Sequence, residues 1–280
     1  ESRRFRYELV DIPGAYSLFA HSAEEEVARD YLCFGRPEAV LVVCDATCLE
    51  RNLNLVLQIL ELHSRVLVCV NLMDEARRRG IQLDLKALEK RLGVPVVGIV
   101  ARKKKTLNVV LDALDQLMEQ PEKSPYEFSY PASVTKALTN TEALFVPWPR
   151  LRRQARWLAL RALEDSDALK RLLASHTEDR PLDVPEAETV LAEAQTLLKQ
   201  AGVSREALRD LTVQTLVLES ESIARQCVVR RQDRGYSARD RKLDRLFTGR
   251  KSGFPIMLLL LMLLFWLTLT AANVPSALLS

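Results

Sequence analysis

The chain has 280 residues, 40 Lys and Arg against 37 Asp and Glu, a net charge of +3, and 48% hydrophobic residues. A balance that close excludes a nucleic-acid binder held by bulk basic charge, and the hydrophobic content is enough for a sizeable core plus an apolar segment beyond it. The five cysteines (Cys33, Cys44, Cys48, Cys69 and Cys227) have no metal-ligand spacing, and Cys44 and Cys69 sit inside apolar runs, which reads as reduced thiols packed as small hydrophobes; the histidines (His21, His63, His176) are dispersed.

In chain order, the first predicted strand is Glu8-Leu9-Val10, which runs into Asp11-Ile-Pro13-Gly14. A carboxylate closing a strand, followed closely by glycine, suits a nucleotide–magnesium site. Asp11 could hold the metal directly or through water, and the Gly14 N–H could approach a terminal phosphate. A helix is predicted over Glu24 to Leu32, then a strand over Ala39 to Asp45 that carries no obvious ligand group. A helix over Arg51 to His63 leads to the apolar run Arg65 to Asn71, which ends in Asn71-Leu-Met-Asp74. An Asp there can accept two hydrogen bonds from the N1–H and exocyclic amine of guanine. The Asn can tie loops together, and adenine, lacking that donor pair, is rejected. Helix Asp84 to Leu92, strand Val94 to Val100 and helix Thr106 to Glu119 follow, with Ala101 offering a backbone N–H to the base carbonyl.

Strand alternating with helix predicts an α/β parallel sheet with helices on both faces, with ligands at the carboxyl ends of the strands. Asp11, Asn71, Asp74 and Ala101 all fall at such ends. Taken singly, Asp11 to Gly14 is an ordinary turn, and Asn71 and Asp74 are ordinary caps for the next helix. Their order along one predicted sheet favours a nucleotide site.

Beyond Gln120 five prolines (Pro121, Pro125, Pro131, Pro147, Pro149) make an irregular entry to a helical region. An amphipathic helix covers Trp148 to Leu173, and a polar loop follows from Thr177 to Pro185. A second helix over Glu186 to Ala201 stops at Gly202, and Ser204 can cap a third that Thr212 to Val229 extends. Phe254 to Ala272 is a stretch of 19 residues without charge, long enough to cross a lipid bilayer. Arg239, Arg241, Lys242, Arg245, Arg250 and Lys251 precede it and no basic residue follows, which places the preceding domains in the cytoplasm.

Four segments of the first half carry a resemblance: Asp11-Ile-Pro-Gly-Ala-Tyr-Ser-Leu18, Glu25-Glu-Val-Ala-Arg-Asp-Tyr-Leu32, Val70-Asn-Leu-Met-Asp-Glu-Ala-Arg-Arg-Arg-Gly-Ile81 and Leu92-Gly-Val-Pro-Val-Val97. With Leu243-Asp-Arg-Leu-Phe247, Gly253-Phe-Pro-Ile-Met257 and Asn273-Val-Pro-Ser276, they resemble the bacterial and archaeal ferrous iron transport protein B (FeoB) family. Ala155 to Glu164 is similar to the family's helical spacer. The resemblance implies a P-loop GTPase-like G domain over 1–120, a helical spacer over 121–240, and a basic juxtamembrane segment with the first transmembrane helix over 241–280. It implies GTP and Mg2+ as cofactors, with Asn71, Asp74, Ala101 and Arg102 on guanine and Asp11, Pro13 and Gly14 on the phosphate side. Glu24 to Leu32 would be part of the second switch. It further implies GTP hydrolysis coupled to uptake of ferrous iron across a bacterial inner membrane, with residues 1 to about 250 cytoplasmic. Ala15 stands where many small GTPases carry a water-orienting Gln, so turnover should be slow.

Two departures stand out. None of the 9 glycines begins a Gly-Lys-[Ser/Thr] triplet, so the phosphate-cradling loop is absent. The chain is therefore expected to be an internal piece, inactive alone as a GTPase, whose permease portion lies elsewhere in the same protein. The base loop, usually Ser-Ala-Arg-x-Gly-x-Gly in the family, reads Val100-Ala-Arg-Lys-Lys-Lys-Thr106. Two other readings remain open: a membrane-anchored, non-catalytic remnant or adaptor, and a soluble RNA-associated GTPase.

Overall fold

The computed structural model describes residues 4–230 other than 16, 20, 21 and 123, and residues 246, 247, 249 and 252–279; side chains are described to 228 and, in the last helix, to 268. Two compact units result. One comprises Glu1–Arg77 and Ile81–Val229, the other Arg78–Gly80 and Arg230–Ser280.

The first unit is built on a parallel sheet of β1 (Val40–Asp45), β2 (Val66–Asn71) and β4 (Val96–Gly98) in the order β1-β2-β4. The register runs from Val40 opposite Val66 to Asp45 opposite Asn71, so both polar residues end their strands side by side. β2 is central and apolar on both faces. Its Val66, Val68 and Val70 enter the larger core, and its Leu67 and Cys69 enter a smaller one. That alternation follows from the two-residue period of a strand with helices on both sides. Helix α5 (Lys104–Glu119) supplies Leu114 and Leu117 to the smaller core. This core does not extend over β1, where Leu41 and Val43 are 39% and 59% exposed.

On the opposite face lies α2 (Leu49–Leu62), whose Leu53, Val56, Leu57 and Leu62 are fully buried. Each such side chain contributes roughly 1.5–3 kcal/mol through burial. The second half of α2, from Val56 to Leu62, is buried all round because it has neighbours on both sides: the sheet, and the helices of the second half of the chain. Ser220 of α9 (Arg205–Cys227) donates to Asn54 Oδ1 of α2 at 2.9 Å. Helices α6 (Ala132–Glu142), α7 (Ala155–His176) and α8 (Pro185–Gln200) complete the bundle, with Phe145, Leu138, Leu158 and Leu163 at its centre. Helix α7 breaks at Asp165, whose carboxylate accepts from the Ala168 N–H at 2.9 Å and so caps the second half. Gly202, at φ +73°, ends α8, and Ser204 caps α9 by accepting from Ala207 N–H at 3.1 Å.

The smaller elements are α1 (Ala23–Phe34), α3 (Met73–Arg78), β3 (Ile81–Leu83), α4 (Leu85–Leu92) and β5 (Val228–Arg230), with β3 paired to β5. Neither β3 nor α6 was foreseen. The expected strand over Glu8 to Val10 is not formed. Tyr7 instead reaches α5, donating its hydroxyl to Asp115 at 2.6 Å, while Leu9 is 81% exposed. A strand needs a neighbour to satisfy its backbone, and among the described residues β1 pairs with β2 alone.

The second unit contains α10 (Gly253–Leu279), of 27 residues. The apolar stretch 254–272, expected to span a membrane, falls within it. Among the described residues, no helix is long and apolar enough to cross a membrane. The described side chains of α10 stop at 268 and are mostly exposed, from Phe254 to Leu267. The basic residues between Arg239 and Lys251 lie outside the described residues, as does His21.

Candidate functional site

The carboxyl ends of β1, β2 and β4 gather Asp45, Asn71, Asp74, Ala101 and Arg102. Asn71 is the organiser. Its side-chain Oδ1 accepts from the Leu72 N–H at 2.8 Å and from the Ala101 N–H at 3.0 Å, so one carboxamide fixes both the turn after β2 and the loop after β4. Leu72 is left-handed, at φ 61°, which is strained for a residue with a Cβ. This turn starts α3 immediately after the strand and leaves Asp74 in its first turn. Asp74 Oδ1 accepts from the N–H of the next residue, Glu75, at 3.1 Å, while its Oδ2 pairs with the Arg102 guanidinium. Partial burial pushes the Asp74 carboxyl up, but the Arg102 hydrogen bond and charge outweigh it and hold the group below the usual carboxylate range.

Close packing sets α3 in place. A Cβ on Gly98 would lie 2.8 Å from Leu85 Cδ1 and 3.3 Å from Met73 Cγ, so a larger residue would have to push aside the side chains by which α3 and α4 pack on β4. One departure in the base loop, Thr106, has a structural role. Thr106 Oγ1 donates towards the Val100 and Lys103 carbonyls, both at 2.8 Å, and accepts from the Val100 N–H at 3.3 Å. One hydroxyl from α5 thus stitches the loop 100–103 and presents Ala101 and Arg102.

Asp45 is a rim residue that the sequence reading passed over. Its Oδ1 accepts from the Thr47 N–H at 2.7 Å, and the Ala46 N–H donates to the Asn71 carbonyl at 2.9 Å, joining the ends of β1 and β2. An Asp closing an apolar run, the same pattern that flagged Asn71, was the available signal.

Asp11, Pro13 and Gly14 are exposed, on chain that belongs to no strand. A Cβ at Gly14 would meet nothing within 4 Å. Among the described residues no group of three or more His, Cys, Asp or Glu could hold a metal ion.

After Gly14 the chain turns inward. Leu18 is buried, and its N–H donates to Gln58 Oε1 of α2 at 2.6 Å, which the Ser17 hydroxyl also reaches at 3.2 Å. The Arg161 guanidinium of α7 lies 5.4 Å from the Phe19 ring centroid. Helix α1 is held by further residues of the helical half. Gln154 Nε2 donates to the Cys33 carbonyl at 3.2 Å, Phe34 stacks on His176 at 4.8 Å, and His176 approaches Asp30 at 3.4 Å.

The seam where Glu61 of α2 meets the charged groups of α7 is partly buried. Arg161 pairs with Glu164 at 2.9 Å, and Arg156 lies 3.9 Å from Glu142. Glu61, 8% exposed on α2, is pushed up to about 7 by burial, with Arg161 and Arg156 pulling it back and Glu164 adding to the rise. Burial also raises Glu164. The Tyr130 hydroxyl and the Nε atoms of Arg156 and Arg161 are buried without a hydrogen-bond partner.

Comparison with known proteins gives one direction. Residues 1–114 match the family model described as ferrous iron transport protein B, FeoB_N. The chain is 27% identical over 271 residues to the Fe(2+) transporter FeoB of Staphylococcus aureus, which covers 96% of this chain and 39% of that protein. Against the Fe(2+) transporter FeoB of Campylobacter jejuni identity rises to 37% over 117 residues, 42% of this chain and 19% of that protein. The chain thus spans less than half the length of the curated relatives it matches. Among solved structures, the cytosolic domain of the T. maritima FeoB iron transporter in its GMPPNP form matches with a TM-score of 0.59 at 25% identity, over 78% of this chain and 79% of that one. The fold is that of these GTPase-type cytosolic domains, and the chain resembles FeoB along nearly its whole length.

Proposed function

We propose that this FeoB-like chain is the guanine-reading, cytosolic-side part of a ferrous iron transporter, and that Asn71, Asp74 and Ala101 select the base. The observation that carries the proposal is the double grip of Asn71 Oδ1 on the Leu72 and Ala101 amides, with the Asp74 carboxylate set beside it. A carboxylate is the complement of the N1–H and amine of guanine, and the Ala101 region supplies a small-residue approach for the base carbonyl oxygen. Arg102 belongs to the same loop as Ala101 and contacts the Asp74 carboxylate. Asp11, Pro13 and Gly14 face the phosphates in this reading, with magnesium at Asp11 directly or through water. When bound, GTP would supply a phosphate whose presence orders the segment after Gly14; the chain's own part is to pass that order on. The Ser17–Phe19 turn and α1 rest on Gln58, Arg161, Gln154 and His176, so a shift of α1 is felt by α7 and the helical bundle.

The membrane part of the proposal rests on the uncharged, apolar stretch from Phe254 to Ala272, about as long when helical as the roughly 30 Å hydrocarbon core of a bilayer. With the basic residues before it in sequence, α10 would enter a bacterial inner membrane from the cytoplasm, leaving residues 1 to about 250 inside. Ferrous iron is the cargo, and the permease portion of the same protein is the partner that moves it.

The test is a change of base. Asp74→Asn should exchange guanosine diphosphate for xanthosine diphosphate, read as amide shifts at Leu72 and Ala101 on titration. A variant that keeps its preference for guanine would sink the assignment.

A further inference from the structure

Asp74 already has a ligand of the shape it is proposed to recognise. Guanine offers a carboxylate two parallel N–H donors on a planar, delocalised C–N frame, and an arginine guanidinium offers the same fork. Arg102 Nη2 lies against Asp74 Oδ2, and the two residues sit on separate loops, after β4 and after β2. We infer that Arg102 is an internal competitor for the base: its guanidinium occupies the Asp74 carboxylate when guanine is absent and must leave before guanine can enter. The inference rests on the proposed guanine site and sharpens it, because it makes one residue of that site act against binding.

Three observations shape the idea. The Arg102 side chain is 68% exposed and that of Asp74 23%, so the arginine can swing into solvent while the carboxylate stays where the loops hold it. The backbone that carries Arg102 is fixed. Asn71 holds the Ala101 N–H at 3.0 Å, and Thr106 holds the Val100 and Lys103 carbonyls at 2.8 Å, so the guanidinium is delivered to one place. The neighbours Lys103, Lys104 and Lys105 are cations without a fork, and none of them can copy the planar donor pair. The contact also protects the empty site, since a carboxylate that keeps an ionised partner need not be neutralised or moved when the base departs.

An exposed ion pair is weak, so the competition is modest. Removing it should tighten guanine binding by about two- to fivefold and speed association, with the gain shrinking at high salt as screening weakens the pair in the wild-type chain. The experiment compares the 280-residue chain in detergent micelles with its Arg102→Ala and Arg102→Lys variants, titrated with guanosine diphosphate at low and high salt. The Asp74 carboxyl carbon is followed by NMR against pH in the absence of nucleotide. Support is tighter binding by Arg102→Ala at low salt, a smaller gain in Arg102→Lys (charge without the fork), and an Asp74 titration that moves up in Arg102→Ala. Weaker or unchanged guanosine diphosphate binding by Arg102→Ala, with the wild type binding normally, overturns the competitor role and makes Arg102 a base contact or a bystander; the guanine site itself then stands. No binding by any of the three folded proteins removes the guanine site and the competitor with it. An Asp74 titration identical in wild type and Arg102→Ala also overturns the inference, whatever the nucleotide does.

Discussion

The ends of β2 and β4 and the seam between α2 and α7 both carry facing charges, and they treat them in opposite ways. At the strand ends the Arg102–Asp74 pair lies largely in water, on loops that a single carboxamide and a single hydroxyl hold in place. At the seam Glu61 is buried, Glu164, Arg156 and Arg161 are mostly covered, and Tyr130 is left with an unpartnered hydroxyl. Water makes the first set exchangeable, which suits a site that must accept and release a ligand. Burial makes the second set costly to disturb, which suits a joint that must move as one piece.

Breaking the joint should give the larger effect. Arg161→Leu leaves Glu164 and Glu61 facing each other in the core without their main cation and removes the contact over Phe19, and should lower stability by about 3 kcal/mol in urea unfolding. A loss below about 0.5 kcal/mol would show that the seam is wetter than its burial implies. The next effect depends on pH. The folded Glu61 carboxyl sits near 7 against an ordinary 4.5, so the neutral acid is favoured in the fold. Stability is therefore highest, for this group, below 4.5, falls as pH rises from 4.5 to 7, and is flat above. Glu61→Gln should remove that slope, leaving the variant up to about 3 kcal/mol more stable than wild type at pH 8 and level with it at pH 4. A gap independent of pH would place the titration elsewhere.

At the strand ends the same kind of change should do less to stability and more to the loop. Asn71→Ala deprives the Leu72 and Ala101 amides of their acceptor and should cost about 1–2 kcal/mol, with hydrogen exchange quickening at Ala101 ahead of the sheet. If exchange quickens at Val68 and Val70 as early, Asn71 supports the sheet rather than the site. Smallest of all is Arg102→Ala, which should leave the melting temperature unchanged while altering what binds Asp74; a clear fall in melting temperature would give the contact a structural role.

The sequence disclosed the parts whose cause is local. Apolar spacing located α2, α5, α7 and α8. Gly202 and Ser204 marked the junction of α8 and α9 by chemistry that needs no neighbours. Asn71 and Asp74 were visible because they end and follow a strand of β-branched and apolar residues. What stayed hidden depends on distant partners. Glu8 to Val10 has the composition of a strand but no strand beside it. The α6 segment was obscured by the prolines around it, although Pro131 stands at the N-cap just ahead of the helix, where the proline's missing N–H costs nothing. Thr106 looked like the loss of a glycine, and its value appears only once α5 carries its hydroxyl back to Val100 and Lys103. The charged seam was invisible for the same reason: Glu61 and Arg161 are 100 residues apart in sequence.

The left-handed Leu72 has a consequence for sequence change at this position. With φ at 61°, its backbone suits Gly or Asn better than any branched or long side chain. A saturation library at position 72, sorted once for folded protein and once for ligand capture, should therefore rank substitutions differently in the two screens. Gly and Asn should rise in the first, and the loss of leucine should tell only in the second.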